Sequence, residues 1–215
     1  MSDMSNSWTV VVPVKGTTRA KTRMAPGLDA SQRTRLMTAF ALDTVDALRR
    51  ASRVAHVIVV TDAHSDLAGQ LREAGTEIVA DPGTGLNDAI AAGIAAAGAK
   101  LGGPPIAALL GDLPCLTAGD IDDALELAAQ HPLALVPDAA GVGSTLITAR
   151  SGIALVPHFG EGSAARHIAA GHTPLDIAPT SGLRTDVDTE PDLAAALTRG
   201  VGPHTQAALS DTAPD

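Results

Sequence analysis

Residues 57–62 read Val57-Ile58-Val59-Val60-Thr61-Asp62, a continuous β-branched run closed by an acidic residue. A strand with one wet face alternates apolar and polar side chains, whereas an unbroken apolar run describes a strand covered on both faces. Upstream, Ser31–Ala51 places Leu36, Met37, Phe40, Ala41, Val45 and Leu48 at spacings that form one stripe of an amphipathic helix. Downstream, Asp66–Ala74 is a shorter helical stretch. The same alternation extends both ways. Trp8–Val14 is an apolar, β-rich run that ends at a polar loop, and Glu77–Ala80 is a weak strand before the Ala-rich helix Leu86–Ala99. Ile106–Leu110 is a strong strand, followed by a helix over Ile121–Gln130 for which Asp120 is the expected cap. Apolar strands separated by helices predict an α/β fold, a mostly parallel sheet with helices on both faces, and ligands beyond the carboxyl ends of its strands.

After Leu133–Pro137 the pattern becomes irregular. Ser144–Thr148 reads as a strand, Ser163–Ala170 as a short helix, Leu183–Val187 as a late strand and Pro191–Arg199 as a last helix, so part of the sheet is expected to be antiparallel. No fixed-period repeat or Pro- and Ser-rich linker divides the chain. It is therefore read as one domain over 8–200, with 1–7 and 201–215 as disordered ends.

Composition narrows the function. A formal net charge of -9 over 215 residues argues against a broad nucleic-acid surface, and Trp8, Phe40 and Phe159 are too few to build a base-stacking platform. Cys115 is the lone cysteine, which excludes an internal disulfide and a Cys-rich metal site. No apolar stretch reaches the roughly 18 residues of a membrane helix, and Met1–Ser7 lacks an export pattern, so a cytoplasmic protein with no membrane partner is expected.

Chemistry concentrates in a few loops. Lys15-Gly16-Thr17-Thr18-Arg19-Ala20-Lys21-Thr22-Arg23 gathers positive charge just after the first strand, and two of the chain's three lysines fall in it. Lys15, Arg19, Lys21 and Arg23 offer charge-assisted bonds to phosphate, and Gly16 permits close backbone approach; an ordinary exposed loop is the competing reading. Gly111-Asp112-Leu113-Pro114 follows the Ile106–Leu110 strand and sets a carboxylate where a hard cation would bind, or where a turn would be capped. Asp186 and Asp188 fall on one face of an extended segment and would join Asp112 in an oxygen-rich magnesium site, unless Asp188 caps the last helix. Gly141–Thr145 and Phe159–His167 carry small and hydroxyl residues able to wrap a carboxylate or phosphate; Ser163 at a helix start serves either an anion or a plain cap. In Asp81–Asp88, Gly85 and Asn87 could hold a base or ribose, or simply turn the chain into a helix. His56, His64, His131, His158, His167 and His172 show no metalloprotease spacing, and no nucleophile elbow occurs. Of these His167, beside Arg166 in a candidate loop, is the one singled out.

Val12-Pro13-Val14-Lys15-Gly16 with Ala20-Lys21-Thr22-Arg23, then Gly111–Pro114, resembles the guanylyltransferases of coenzyme F420 biosynthesis that act on phosphoenolpyruvate or 2-phospho-L-lactate. The likeness continues through Gly85-Leu86-Asn87, Gly143-Ser144-Thr145, Phe159–Ser163 and Asp186-Val187-Asp188, and so spans Trp8 to Arg199; Met24 stands where a leucine or similar residue often follows the Arg. The resemblance implies the Rossmann-like fold of nucleotide-diphospho-sugar transferases and transfer of GMP from GTP to a phosphorylated three-carbon acid. Phosphoenolpyruvate is the acceptor in the bacterial branch, with 2-phospho-L-lactate or 3-phospho-D-glycerate as alternatives. It further implies that Asp112, Asp186 and Asp188 hold Mg²⁺, that Thr145, Gly160 and Ser163 contact the acid, and that Lys15, Gly16, Lys21 and Arg23 take the GTP phosphates. Asp112, Lys21 and Arg23 would be the catalytic set, and functional coupling to the enzyme that consumes the guanylylated product is expected. Rival readings are a nucleotidyltransferase for a sugar phosphate or molybdenum cofactor, and a catalytically silent nucleotide-binding regulator.

Overall fold

The computed structural model describes residues 7–14 and 29–210. Alternate residues of the apolar runs leave opposite faces of one seven-stranded sheet. From β1 (Trp8–Pro13), β2 (Val54–Thr61) and β4 (Ile106–Leu109), residues Val10, Val12, Val59 and Leu109 pack with α1 (Ala30–Arg50) and α4 (Ala118–Ala128). Val11, Ile58, Val60 and Ala108 pack on the other face with α3 (Leu86–Leu101). Two-sided burial explains why these strands show no polar alternation. α3 approaches closely because position 93 is glycine: a Cβ there would lie 2.4 Å from Val11 Cγ1 and 2.8 Å from Val60 Cγ2.

The remaining elements are α2 (Asp66–Glu73), β3 (Glu77–Ala80), β5 (Leu133–Pro137), β6 (Ser144–Ala149), α5 (Ser163–Ala169), β7 (Thr173–Pro174), α6 (Glu190–Arg199) and α7 (Pro203–Ser210). Strand order is β3-β2-β1-β4-β6-β5-β7. Among the described strands only β6 runs against its neighbours, antiparallel to both β4 and β5. The expected α/β architecture and the antiparallel portion are both present. Because β6 is reversed, its start lies at the same sheet end as the finish of β4 and β5.

Three local expectations are corrected. Leu183–Val187 is not a strand: Gly182–Arg184 forms a 3-10 turn, begun when Ser181 Oγ accepts the Leu183 N–H at 3.2 Å. The cap of α4 is Thr117, with Asp120 closing the reciprocal capping box from the third helical position. Beyond Gly202, where disorder was expected, Pro203–Ser210 forms α7 against α1. The buried carboxylate of Asp43, in α1, accepts the N–H groups of His204 at 3.0 Å and Thr205 at 2.9 Å and so caps α7. That cap lies far away in sequence, where no local pattern would reveal it.

Candidate active site

β1, β2, β4 and β5 end at, and β6 begins from, the rim of one cleft of about 1090 Å³. Asp112 enters it from the turn after β4. At Gly111 a Cβ would come 2.9 Å from Val14 Cγ2 and 3.1 Å from the Pro13 carbonyl oxygen, so this turn runs tight against the end of β1. The Asp112 carbonyl accepts the Val187 N–H at 3.2 Å. Val187 is fully buried among Leu36, Phe40 and Leu193, and the residues on either side, Asp186 and Asp188, both line the cleft. The spacing of two thus works as expected although the segment is not a strand. The cap of α6 is Thr189 and not Asp188, and Asp192 closes that box while also accepting the Asp188 N–H at 3.2 Å.

The three carboxylates act on one another. Burial, then Asp112, then Asp188 push the Asp186 carboxyl up to about 7. Asp138, at the end of β5, adds to this and also lines the cleft; its Oδ1 accepts the Val142 N–H at 3.0 Å and its Oδ2 the Gly143 N–H at 2.7 Å. Sequence reasoning missed Asp138, for which the signal is an acidic residue directly after an apolar strand, as at Asp62. Among the described residues no group of three His, Cys, Asp or Glu side chains is gathered tightly enough to hold a metal. A hard cation such as Mg²⁺ nevertheless needs only one or two carboxylates beside phosphate and water oxygens, and crowded carboxylates with a raised pKa are a donor set that fits one.

The raised pKa makes a stability prediction. The folded protein keeps a proton on Asp186 that the unfolded chain loses near pH 4, so metal-free stability should fall as pH rises from about 4 to about 7 and then level off. Each tenfold change in proton affinity is worth roughly 1.4 kcal/mol, so the fall amounts to a few kcal/mol. Asp186→Asn should therefore melt higher than the parent in EDTA at pH 8 and flatten that slope; equal melting curves would refute the repulsion.

A second wall is built from loop 158–163. Gly160 and Ser163 line the cleft beside Ser144. Asn87 clasps this loop, its Oδ1 accepting the Phe159 N–H at 2.8 Å and its Nδ2 donating to the Phe159 carbonyl at 3.1 Å. Arg166 donates to the carbonyls of His158, at 3.1 Å, and Glu161. The structure thus gives both amide functions of Asn87 a loop to hold and sets Leu86, not Gly85 or Asn87, along the cleft. Thr145 is wholly buried and does not line the cleft: its hydroxyl is donated to the Val136 carbonyl at 3.4 Å and its carbonyl accepts the Leu110 N–H at 3.0 Å, so it braces the wall from behind. Ser163 is the first residue of α5 behind the cap position Gly162. Lys15, Gly16, Lys21 and Arg23 lie outside the described residues; the chain enters that segment at Val14, on the cleft rim. His204 and Ala207 of α7 also reach the cleft, and neither was foreseen.

A mostly parallel sheet of this kind is a fold that similar solved structures share. A nucleotidyl transferase from Methanothermobacter thermautotroptrophicus superposes with a TM-score of 0.59 over 96% of this chain and 100% of that one at 17% identity. Rv0371c from Mycobacterium tuberculosis H37Rv, solved as a manganese complex, gives 0.52 over 90% and 99% at 20% identity. The family described as "Guanylyl transferase CofC like" matches residues 8–212, and the chain belongs to it. Phosphoenolpyruvate guanylyltransferase from Sanguibacter keddieii is 45% identical over 94% of this chain and 84% of its own length. The protein of that name from Streptomyces coelicolor is 46% identical over 93% and 94%.

Proposed function

We propose that this chain transfers GMP from GTP to phosphoenolpyruvate, releasing pyrophosphate and enolpyruvoyl-2-diphospho-5'-guanosine. The observation that carries the reading is one cleft walled on one side by Asp112, Asp186 and Asp188 and on the other by the Gly160–Ser163 loop, in a member of a guanylyl transferase family. An oxygen of the acid's phosphate attacks the α-phosphorus of GTP; that P–O bond forms as the bond to the bridging β-phosphate oxygen breaks, and pyrophosphate departs with the electron pair. The attacking phosphate has a second pKa near 6 and needs no protein base. The residues therefore align two anions and balance their charge.

Asp112, Asp186 and Asp188 would hold Mg²⁺, which when bound neutralises the phosphates against this acidic wall. Lys15, Gly16, Lys21 and Arg23 would take the triphosphate. Gly160 and Ser163 would receive the acid, with Thr145 bracing that wall from behind. Gly85 would border the base through the turn that starts α3, with Asn87 acting through the loop it clasps. The reaction would run in the cytoplasm, with the product handed to the enzyme that consumes it.

The test is pyrophosphate release from GTP and Mg²⁺ with phosphoenolpyruvate, 2-phospho-L-lactate or 3-phospho-D-glycerate supplied singly, and with ATP and metal-free controls. Turnover is expected with GTP and phosphoenolpyruvate. Preference for another acid would reassign the acceptor, and silence with all three would sink the reading.

A further inference from the structure

His167 is wholly buried although its neighbour Arg166 is exposed. Its ring meets Phe159 edge-on at 5.1 Å and His172 at 5.2 Å. Both ring nitrogens are engaged. Nε2 is 2.9 Å from the His158 main-chain N–H, which can only donate, so Nε2 carries the lone pair and the ring proton sits on Nδ1. Nδ1 therefore donates to Ser144 Oγ at 3.0 Å. Burial, with His172, His158 and Arg166 nearby, lowers the His167 pKa to about 4, in keeping with this neutral tautomer. His167 does not line the cleft, and phosphate attack leaves it no proton to move.

Its neighbours do line the cleft. The Ser144 N–H donates to Ser163 Oγ at 2.8 Å, so the Ser163 oxygen is already an acceptor on its inner side. A hydroxyl that accepts there has its own proton free to turn elsewhere, and Ser163 borders the cleft. One histidine thus holds both ends of the wall: His158 at the start of loop 158–163, and Ser144, whose main chain orients Ser163.

We propose that His167 is a positioning residue for the phosphorylated acid: by fixing His158 and Ser144 it keeps Ser163 turned so that its hydroxyl donates to an anionic oxygen of the acceptor. This deepens the phosphoenolpyruvate guanylyltransferase reading and rests on it. The effect falls on the acid side, because the bonds of the His167 ring end on His158 and Ser144 and reach none of Asp112, Asp186 and Asp188.

Steady-state pyrophosphate release is measured for the parent, His167→Ala and His167→Asn with each substrate varied in turn, alongside thermal melts. Asn keeps a donor near the Nδ1 position and gives up the bond to His158. His167→Ala is expected to raise the KM for phosphoenolpyruvate about 10-fold or more while the KM for GTP stays within about 2-fold, with His167→Asn in between. Should the alanine variant fail to fold, a cycle of His167→Asn with Ser163→Ala carries the test. If His167 acts through Ser163, the Asn substitution changes the acid KM less than about 2-fold once Ser163 is gone. An unchanged acid KM in His167→Ala, equal rises for both substrates, or additive effects in the cycle would overturn the assignment. A parent protein that turns over while these signatures fail sinks this inference alone; a parent with no turnover sinks the functional reading and this inference together.

Discussion

Asp112→Ala is expected to lower kcat for GMP transfer by roughly 10³-fold or more, the scale set by losing several kcal/mol of charge stabilisation at the reacting phosphates. The same change should leave metal-free melting unchanged or slightly raised, because Asp112 is the strongest of the charges holding the Asp186 carboxyl up. Two readouts then separate a ligand from a structural residue: Mg²⁺ should raise the melting temperature of the parent and no longer do so in the variant. Asp112→Asn keeps the volume and removes the charge, and it should behave alike. Activity within tenfold of the parent in either variant would remove Asp112 from the site.

Gly182→Ala is expected to be the most damaging alanine substitution among the described glycines. A Cβ at Gly182 would sit 2.2 Å from the Cys115 carbonyl oxygen, 2.6 Å from its carbon and 2.8 Å from Leu116 Cα. These are main-chain atoms that cannot swing aside, so the 3-10 turn or the loop after Asp112 must move. Overpacking of this kind costs about 3 kcal/mol, or roughly 6–12 °C in melting temperature for a domain of this size. Activity should fall as well, since the displaced segment leads into Asp186-Val187-Asp188 while its counterpart follows Asp112. Gly119→Ala is the control, its nearest contact being Thr117 Oγ1 at an ordinary 3.8 Å. A Gly182→Ala protein that melts within about a degree of the parent would show the two loops to be free of each other.

The strands and long helices were legible because their signals are local. Val57–Thr61 and Ile106–Leu109 announce two-sided burial by composition alone, and the stripe from Leu36 to Leu48 announces α1. The placing of Asp112, Asp186 and Asp188 on one cleft was equally readable, since one follows a strand and the others straddle an apolar residue that had to be buried. What escaped depends on distant partners. α7 needs the carboxylate of Asp43, Asn87 looked like a nucleotide contact until Phe159 lay beside it, and His167 acquires its tautomer only from His158 and Ser144. Leu183, Thr185 and Val187 alternate with Arg184 and Asp186 as a half-buried strand would, yet Ser181 and Gly182 bend the chain before a strand can start.

The span of the cleft along the chain bears on synthesis. Its walls run from Pro13 to Ala207. The parallel core from β1 to β4 has all its strands once Leu109 has emerged, and domains begin to fold as they leave the ribosome. Asp186 and Asp188 emerge more than 70 residues after Leu109, and the Asp43-capped helix later still. A nascent chain can therefore own a folded parallel core and an aspartate at position 112 while lacking the partners that complete its site, so competence for catalysis should appear abruptly once those partners have emerged and not grow with length.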